Sequence, residues 1–177
     1  MRYLIVVLFV LMTFTAHAAD QSVEIRLGSV AADNLGGVGG HKSLIEIGGR
    51  RCGAVYCGEA SVWHTAEKAD DDAGIVPVRG YSLHLERAVG GVWLGARHDR
   101  WGVAQMNITL GVGTPAARVS WIIPVATSDG AGRFGVQAAI RAPLTRRMYA
   151  TAHYLYLGTQ DPNAKHLRAG IGLGLRY

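Results

Sequence analysis

The final segment of the chain, residues 166–177, reads HLRAGIGLGLRY and restricts what the whole molecule can become. Successive side chains of an extended strand point to opposite faces. Leu167, Ala169, Ile171, Leu173, Leu175 and Tyr177 therefore share one face, and Arg168, Gly170, Gly172, Gly174 and Arg176 share the other. One face is wholly apolar and ends on an aromatic ring; the other is small or cationic. A strand with lipid on one side and a polar lumen on the other needs that division, so the segment predicts a transmembrane β-barrel.

The start of the chain points the same way. Arg2 precedes an apolar run over residues 3–14, which leads into Thr15-Ala16-His17-Ala18. A positive start, a short apolar stretch and an A-x-A site predict a secretory signal peptide over 1–18, with the mature domain at 19–177. The alternative, an uncleaved membrane helix, suits neither the shortness of the run nor the cleavage site. Beyond residue 19 no long uninterrupted apolar segment follows. A helical membrane protein is thereby excluded, and the expected location is the cell outer membrane.

Alternating extended segments can be marked at 22–29, 43–50, 55–64, 78–87, 92–98, 103–113, 118–125, 133–142, 149–157 and 166–177. Gly90-Gly91 is a two-residue hairpin signal between two of them. The sixth is the cleanest after the last, with Ala104, Met106, Ile108, Leu110 and Val112 opposite Gln105, Asn107, Thr109 and Gly111. In the seventh, Ile122 interrupts the polar face; in the ninth, Leu155 does so. The intervening stretches alternate between polar ones at 31–42, 65–76, 98–102, 126–132 and 158–165, mostly long, and short ones at 51–54, 88–91, 114–117 and 143–147. Short periplasmic turns and longer outer loops are the signature of outer-membrane barrels. The reading is one domain, a closed antiparallel barrel of eight to ten strands, with ten preferred and eight left if one weak pair is loop.

A secreted soluble barrel of the lipocalin or streptavidin type would turn its apolar face inward around a ligand. Its polar faces would then carry many solvating Lys, Asp and Glu. Here Lys is confined to predicted loops (Lys42, Lys68, Lys165), and the polar faces carry Gly, Ser, Thr, Gln, Asn and Arg with isolated Glu. That mixture suits a narrow lumen in which charges pair side by side. The formal net charge of +5 falls by one if Arg2 is removed. The basic residues are spread about one per strand and form no patch, which argues against a nucleic-acid partner.

In this register Glu24, Arg26, Glu46, Glu59, Glu86, Arg97, Arg118, Arg141, Arg168 and Arg176 all point inward. Burial of single charges is costly, so they are expected to pair into a network that plugs the lumen. The sharper alternative is an Arg-lined path favouring anions. His84 and His153 also face inward; neither has a Ser or Cys at a recognisable spacing beside it, so both read as hydrogen-bonded strand residues, with His153 the one weak catalytic candidate. Asp70-Asp71-Asp72 reads as a solvated loop rather than a cation site. Trp63, Trp93, Trp101, Trp121, Tyr154 and Tyr156 read as an interfacial girdle where they face outward. Cys52 and Cys57 are expected to form a structural disulfide, which export permits. No metal site and no cofactor are expected.

The signal peptide, the alternating hairpins and the closing GIGLGLRY resemble the small outer-membrane barrels of Gram-negative bacteria, of the OmpA and OmpX families. The resemblance covers the mature chain as an architectural pattern. It implies contact with outer-membrane lipid and lipopolysaccharide, and insertion by the barrel-assembly machinery, which reads such a final strand. The last hairpin is also similar to that of the lipid A deacylase barrels of the PagL type, which carry a His followed two positions later by a Ser nucleophile. Here His153 is followed by Tyr154 and Leu155, so the covalent route of an esterase has no nucleophile at the matching position. The expectation is a non-catalytic barrel with a structural or surface-interaction role and an unidentified surface ligand. A PagL-like enzyme or degenerate relative, a narrow pore and a soluble ligand-binding barrel are the alternatives.

Overall fold

Ten antiparallel strands close on themselves in a computed structural model that describes residues 20–32, 41–66, 79–101, 103–128, 130, 132–158 and 165–177. They are β1 (Asp20–Ala32), β2 (His41–Cys52), β3 (Tyr56–Ala66), β4 (Arg79–Val89), β5 (Val92–Trp101), β6 (Val103–Gly113), β7 (Ala117–Thr127), β8 (Phe134–Pro143), β9 (Met148–Gly158) and β10 (Lys165–Arg176). Each strand pairs with its neighbours in sequence, and β1 closes the ring against β10, with Ile25 opposite Leu173 and Leu27 opposite Ile171. Closure leaves no unpaired sheet edge. The preferred strand number holds, and the strands run one to three residues beyond several of the predicted ends.

One expected loop is not there. His98, Asp99, Arg100 and Trp101 continue β5, and residue 102 alone separates it from β6. The alternation simply carries on: Asp99 turns inward behind Arg97, while the His98 ring meets Tyr81 edge-on at 5.4 Å. At the opposite end of the barrel the connections are all short, at 53–55, 90–91, 114–116 and 144–147. Gly90 and Gly91 both have positive φ, 58° and 86°, as a tight hairpin whose twist matches its strands requires. We call this the turn end; Asp20 and Tyr177 lie there too.

The apolar side chains face out. Ile25, Leu27, Ile45, Ile47, Leu83, Leu85, Ile108, Ile123, Ile171 and Leu173 are all exposed, whereas Glu24, Arg26, Glu46, Arg97, Asp99 and Arg168 are buried. A water-soluble barrel shows the reverse arrangement. The facing is that of a barrel solvated by hydrocarbon outside and by its own side chains within. No helix among the described residues is long and apolar enough to cross a membrane, which says nothing of strands.

Two glycines of β10 make room for bulky residues of β9, and a third, Gly172, for the β1 backbone. Gly170, Gly172 and Gly174 stand directly opposite His153, Thr151 and Tyr149. A Cβ at 174 would fall on the Tyr149 ring, and one at 170 would lie 2.8 Å from Cε1 of His153. Gly174→Val is therefore expected to cost about 1–3 kcal/mol by overpacking. The check is a lower urea midpoint in lipid vesicles, with Gly172→Ser measured beside it to test whether crowding against the β1 backbone is comparable. β7 carries the one irregular register described in the ladder: Asn107 pairs with Pro124 but Met106 with Ala126, leaving Val125 as the extra residue. Pro124 lacks a backbone donor, and a bulge is where a strand tolerates it.

Candidate functional site: the barrel lumen

The lumen is built in layers, each held by alternate residues of several strands. At the turn end Cys52 and Cys57, directly opposed on β2 and β3, form a disulfide with Cα atoms 4.1 Å apart. Trp93 packs against it from inside the barrel and donates its indole N–H to the carbonyl of Gly113 at 3.1 Å. The Arg118 guanidinium lies 3.8 Å over the Trp93 ring and pairs with Glu86. Arg50 donates to the carbonyl of Pro115 at 2.9 Å and reaches Cys57 Sγ at 3.4 Å.

The next layer is the densest electrostatic cluster. Arg26 donates through Nε to Glu24 Oε2 at 2.7 Å, through Nη2 to Glu59 Oε1 at 2.7 Å, and approaches Glu46 at 3.2 Å. Arg141 spans the same two acids, with Nε 2.7 Å from Glu24 Oε1 and Nη2 3.2 Å from Glu59 Oε2. The Tyr149 hydroxyl donates to Glu24 Oε1 at 2.7 Å and sits 2.8 Å from Ser22 Oγ. Glu24 thus accepts from three donors on β1, β8 and β9. Each charge is balanced by hydrogen-bonded opposites, the condition under which burial of ions is tolerable. His84 lies beside this layer, its Nε2 2.9 Å from Thr109 Oγ1 and 3.3 Å from Glu86.

Toward the other end Arg97 is clamped by Asp99 through Nε at 2.6 Å and Nη2 at 2.8 Å, with Gln137 as a further acceptor. Ser82 donates to Asp99 at 2.6 Å and Asn107 does so at 3.3 Å. Gln105 binds Asn107 and the carbonyl of Arg133. Glu46, His153 and Arg168 form a looser group: His153 Nε2 is 3.4 Å and Arg168 Nη2 3.8 Å from the carboxylate. These are ionic approaches rather than hydrogen bonds, because neither ring nitrogen of His153 nor either Glu46 oxygen has a hydrogen-bond partner among the described residues. Waters suit such atoms in a polar site. Beyond them Leu44, Trp63, Ile122, Leu155 and Leu157 close into an apolar cluster, every member at most 4% exposed.

All ten inward charges named from the sequence lie on the lumen face of their strands, although Arg176 sits at the rim, a third exposed and 3.4 Å from Asp20. Arg50 and Asp99 were not anticipated as lumen residues. One more step of the same alternation from Gly48 and Arg97 would have found them. His153 faces Glu46 and Gly170 inside the barrel, with Thr151 the nearest hydroxyl-bearing residue on the same strand face. Of the aromatics, Trp63 and Trp93 turn inward, which corrects any girdle role for them; Trp121 and Tyr154 are exposed on the outside. Asp70-Asp71-Asp72 and the segment 1–18 lie outside the described residues, and Trp101's side chain does too. No group of three or more metal-ligating side chains occurs among the described residues.

No protein-family model matches the chain, nor does any curated protein by sequence. Solved structures similar to it include Neisserial surface protein A, at 11% identity over 89% of this chain and 96% of that one, with a TM-score of 0.45. The translocator domain of the autotransporter NalP from Neisseria meningitidis is 14% identical over 99% and 94%, at 0.47. Ail, the attachment invasion locus protein of Yersinia pestis, solved with a heparin analogue, is 12% identical over 89% and 97%, at 0.41. These likenesses are loose; the orientation of this chain's own side chains is what bears on its placement.

Proposed function

We propose that this chain is an outer-membrane β-barrel protein, exported by residues 1–18 and inserted by the barrel-assembly machinery, with a sealed lumen and a structural or surface-interaction role. The observation that carries it is the inversion of faces: isoleucine and leucine outside, a hydrogen-bonded ion network inside. The outward band supports contact with outer-membrane lipid and lipopolysaccharide. The lumen supports a scaffold over a pore, since Trp93 with the disulfide fills one end and the Leu44–Trp63–Ile122–Leu155–Leu157 cluster fills the other. A small barrel is about wide enough for side chains to fill. Surface recognition then falls to the connections at 33–40, 67–78 and 159–164, which lie outside the described residues.

The test is electrophoretic mobility of the outer-membrane fraction in SDS, boiled and unboiled. A closed barrel resists SDS until heated, so a mobility shift in that fraction is expected. A protein found in the soluble periplasm without a shift would overturn the reading. In the same strain His153→Ala should leave the lipid A profile unchanged, while shortening 67–78 should alter surface interaction. A changed lipid A profile would instead favour the lipid A-modifying alternative.

A further inference from the structure

The outward rim of the turn end is basic on one side of the barrel only. Following the ring from β9 through β10, β1, β2 and β3 to β4, it presents Arg147 and Arg146 on the 144–147 turn, Arg51 on β2 and Arg87 on β4. Arg87, Arg146 and Arg147 are exposed and Arg51 is half-buried. The remaining links, Gly90-Gly91 and Thr114-Pro115-Ala116, carry no charge. The four turn-end links contain no Asp or Glu. Asp20, which faces the mouth, is already shared between Arg176 at 3.4 Å and Arg50 at 3.8 Å.

The backbone of the turn that carries two of these arginines is held in place. Thr145 Oγ1 accepts the backbone N–H of Met148 at 2.9 Å and of Arg147 at 3.2 Å, and Arg176 donates its own N–H to the carbonyl of Arg147 at 2.7 Å. The turn is thereby pinned to β10. An open cleft of about 760 Å³ is lined by Arg146, Arg147 and Arg176 together with Asp20, Gln21 and Tyr177. Arg87 lies 5.4 Å over the exposed ring of Tyr56. Directly up-strand of the crescent the exterior turns apolar, with Val23, Leu175, Leu173 and Leu85 exposed.

Cations at a fixed height beneath an apolar wall fit an amphiphile with an anionic head and hydrocarbon tails. We infer that this crescent binds the headgroups of anionic glycerophospholipids in the leaflet at the turn end, with their acyl chains along β10, β1 and β2. The inference rests on the membrane reading above and adds a lipid preference to it. Guanidinium pairs bind phosphate with geometric selectivity, and each basic side chain near an anionic membrane surface contributes about 1 kcal/mol, or about five-fold.

The experiment places the folded barrel in nanodiscs of equimolar phosphatidylcholine and phosphatidylglycerol and reads the lipids retained by native mass spectrometry. Phosphatidylglycerol should exceed phosphatidylcholine about five-fold or more. The excess should disappear in the variant Arg51→Gln/Arg87→Gln/Arg146→Gln/Arg147→Gln and persist in Arg100→Gln, which removes an exposed cation near the other end. If the fourfold variant loses its heat-modifiable mobility, Arg146→Gln/Arg147→Gln, confined to an exposed turn, replaces it. Equal retention of the two lipids, or a preference that survives the turn variant, overturns the inference while leaving a heat-modifiable barrel intact. Displacement of phosphatidylglycerol by millimolar glycerol phosphate would overturn the lipid assignment in favour of a free-phosphate site.

Discussion

Glu24→Ala is expected to destabilise the folded barrel by about 3–5 kcal/mol, the range found when one member of a buried ion cluster is removed. Glu24 is 1% exposed and receives Arg26, Arg141 and Tyr149 together. Its loss leaves Arg26 with Glu59 and Glu46, and Arg141 with Glu59 alone among the acids that bridge it. It also removes the charged acceptor of the Tyr149 phenol, which keeps only Ser22 Oγ at 2.8 Å. Urea unfolding from lipid vesicles measures the loss directly, and the mutant cycle with Arg141→Met apportions it. Because the double variant removes opposite charges together, it should recover part of the single variant's loss. A single-variant loss below about 1 kcal/mol would mean that the cluster is hydrated and screened like a surface pair.

Ile171→Arg reads the environment on the other side of the same wall. Ile171 is 71% exposed at the middle of β10, opposite Leu27 on β1 and Ala152 on β9. On a surface in water such a change is worth within about 0.5 kcal/mol either way. At the midplane of a bilayer an arginine on the lipid face costs about 2–4 kcal/mol. The same urea titration in vesicles should therefore show a loss in that range, with a smaller loss for Leu175→Arg, nearer the rim, because the penalty falls toward the interface. Neutral behaviour at both positions would place the apolar wall in water and remove the basis for a membrane location.

The two substitutions separate what each part of the chain contributes. Alternation is a local property: a residue two positions along a strand returns to the same face whatever the rest of the chain does. It is why the outward set on β1, β6 and β10, and the inward position of Glu24, Arg26, Glu46, Glu59 and Arg97 are readable from residue order. The same rule extended two residues would have included Arg50 and Asp99. Arg50 is the last residue of the predicted second segment and Asp99 lies one residue beyond the fifth, where polar residues look like loop and the backbone ladder shows that pairing continues.

The apolar lumen residues are a different matter. Leu44, Ile122, Leu155 and Leu157 stand on the polar face of their strands and read there as noise in the pattern. Their purpose exists only when β2, β3, β7 and β9 are brought round a common axis and their side chains meet across it. Trp63 and Trp93 likewise look like interfacial aromatics until closure places them inside. Gly80 then makes room for Trp63, since a Cβ there would fall on the indole, while Gly111, opposite Trp93, leaves space for Ser120 and Arg118.

Residue order is enough to show that this chain forms amphipathic strands of membrane-spanning length and which face of each is polar, because those properties depend on neighbours two residues away; the choice of ten strands over eight came with ring closure. Which inward charge meets which is set by closure of the ring. Glu24 and Arg141 are 117 positions apart, and Arg26 and Glu59 are 33 apart. Their partnership is set by ring closure and strand register, which fix the height of every side chain along the barrel axis and hence the distances over which opposite charges act.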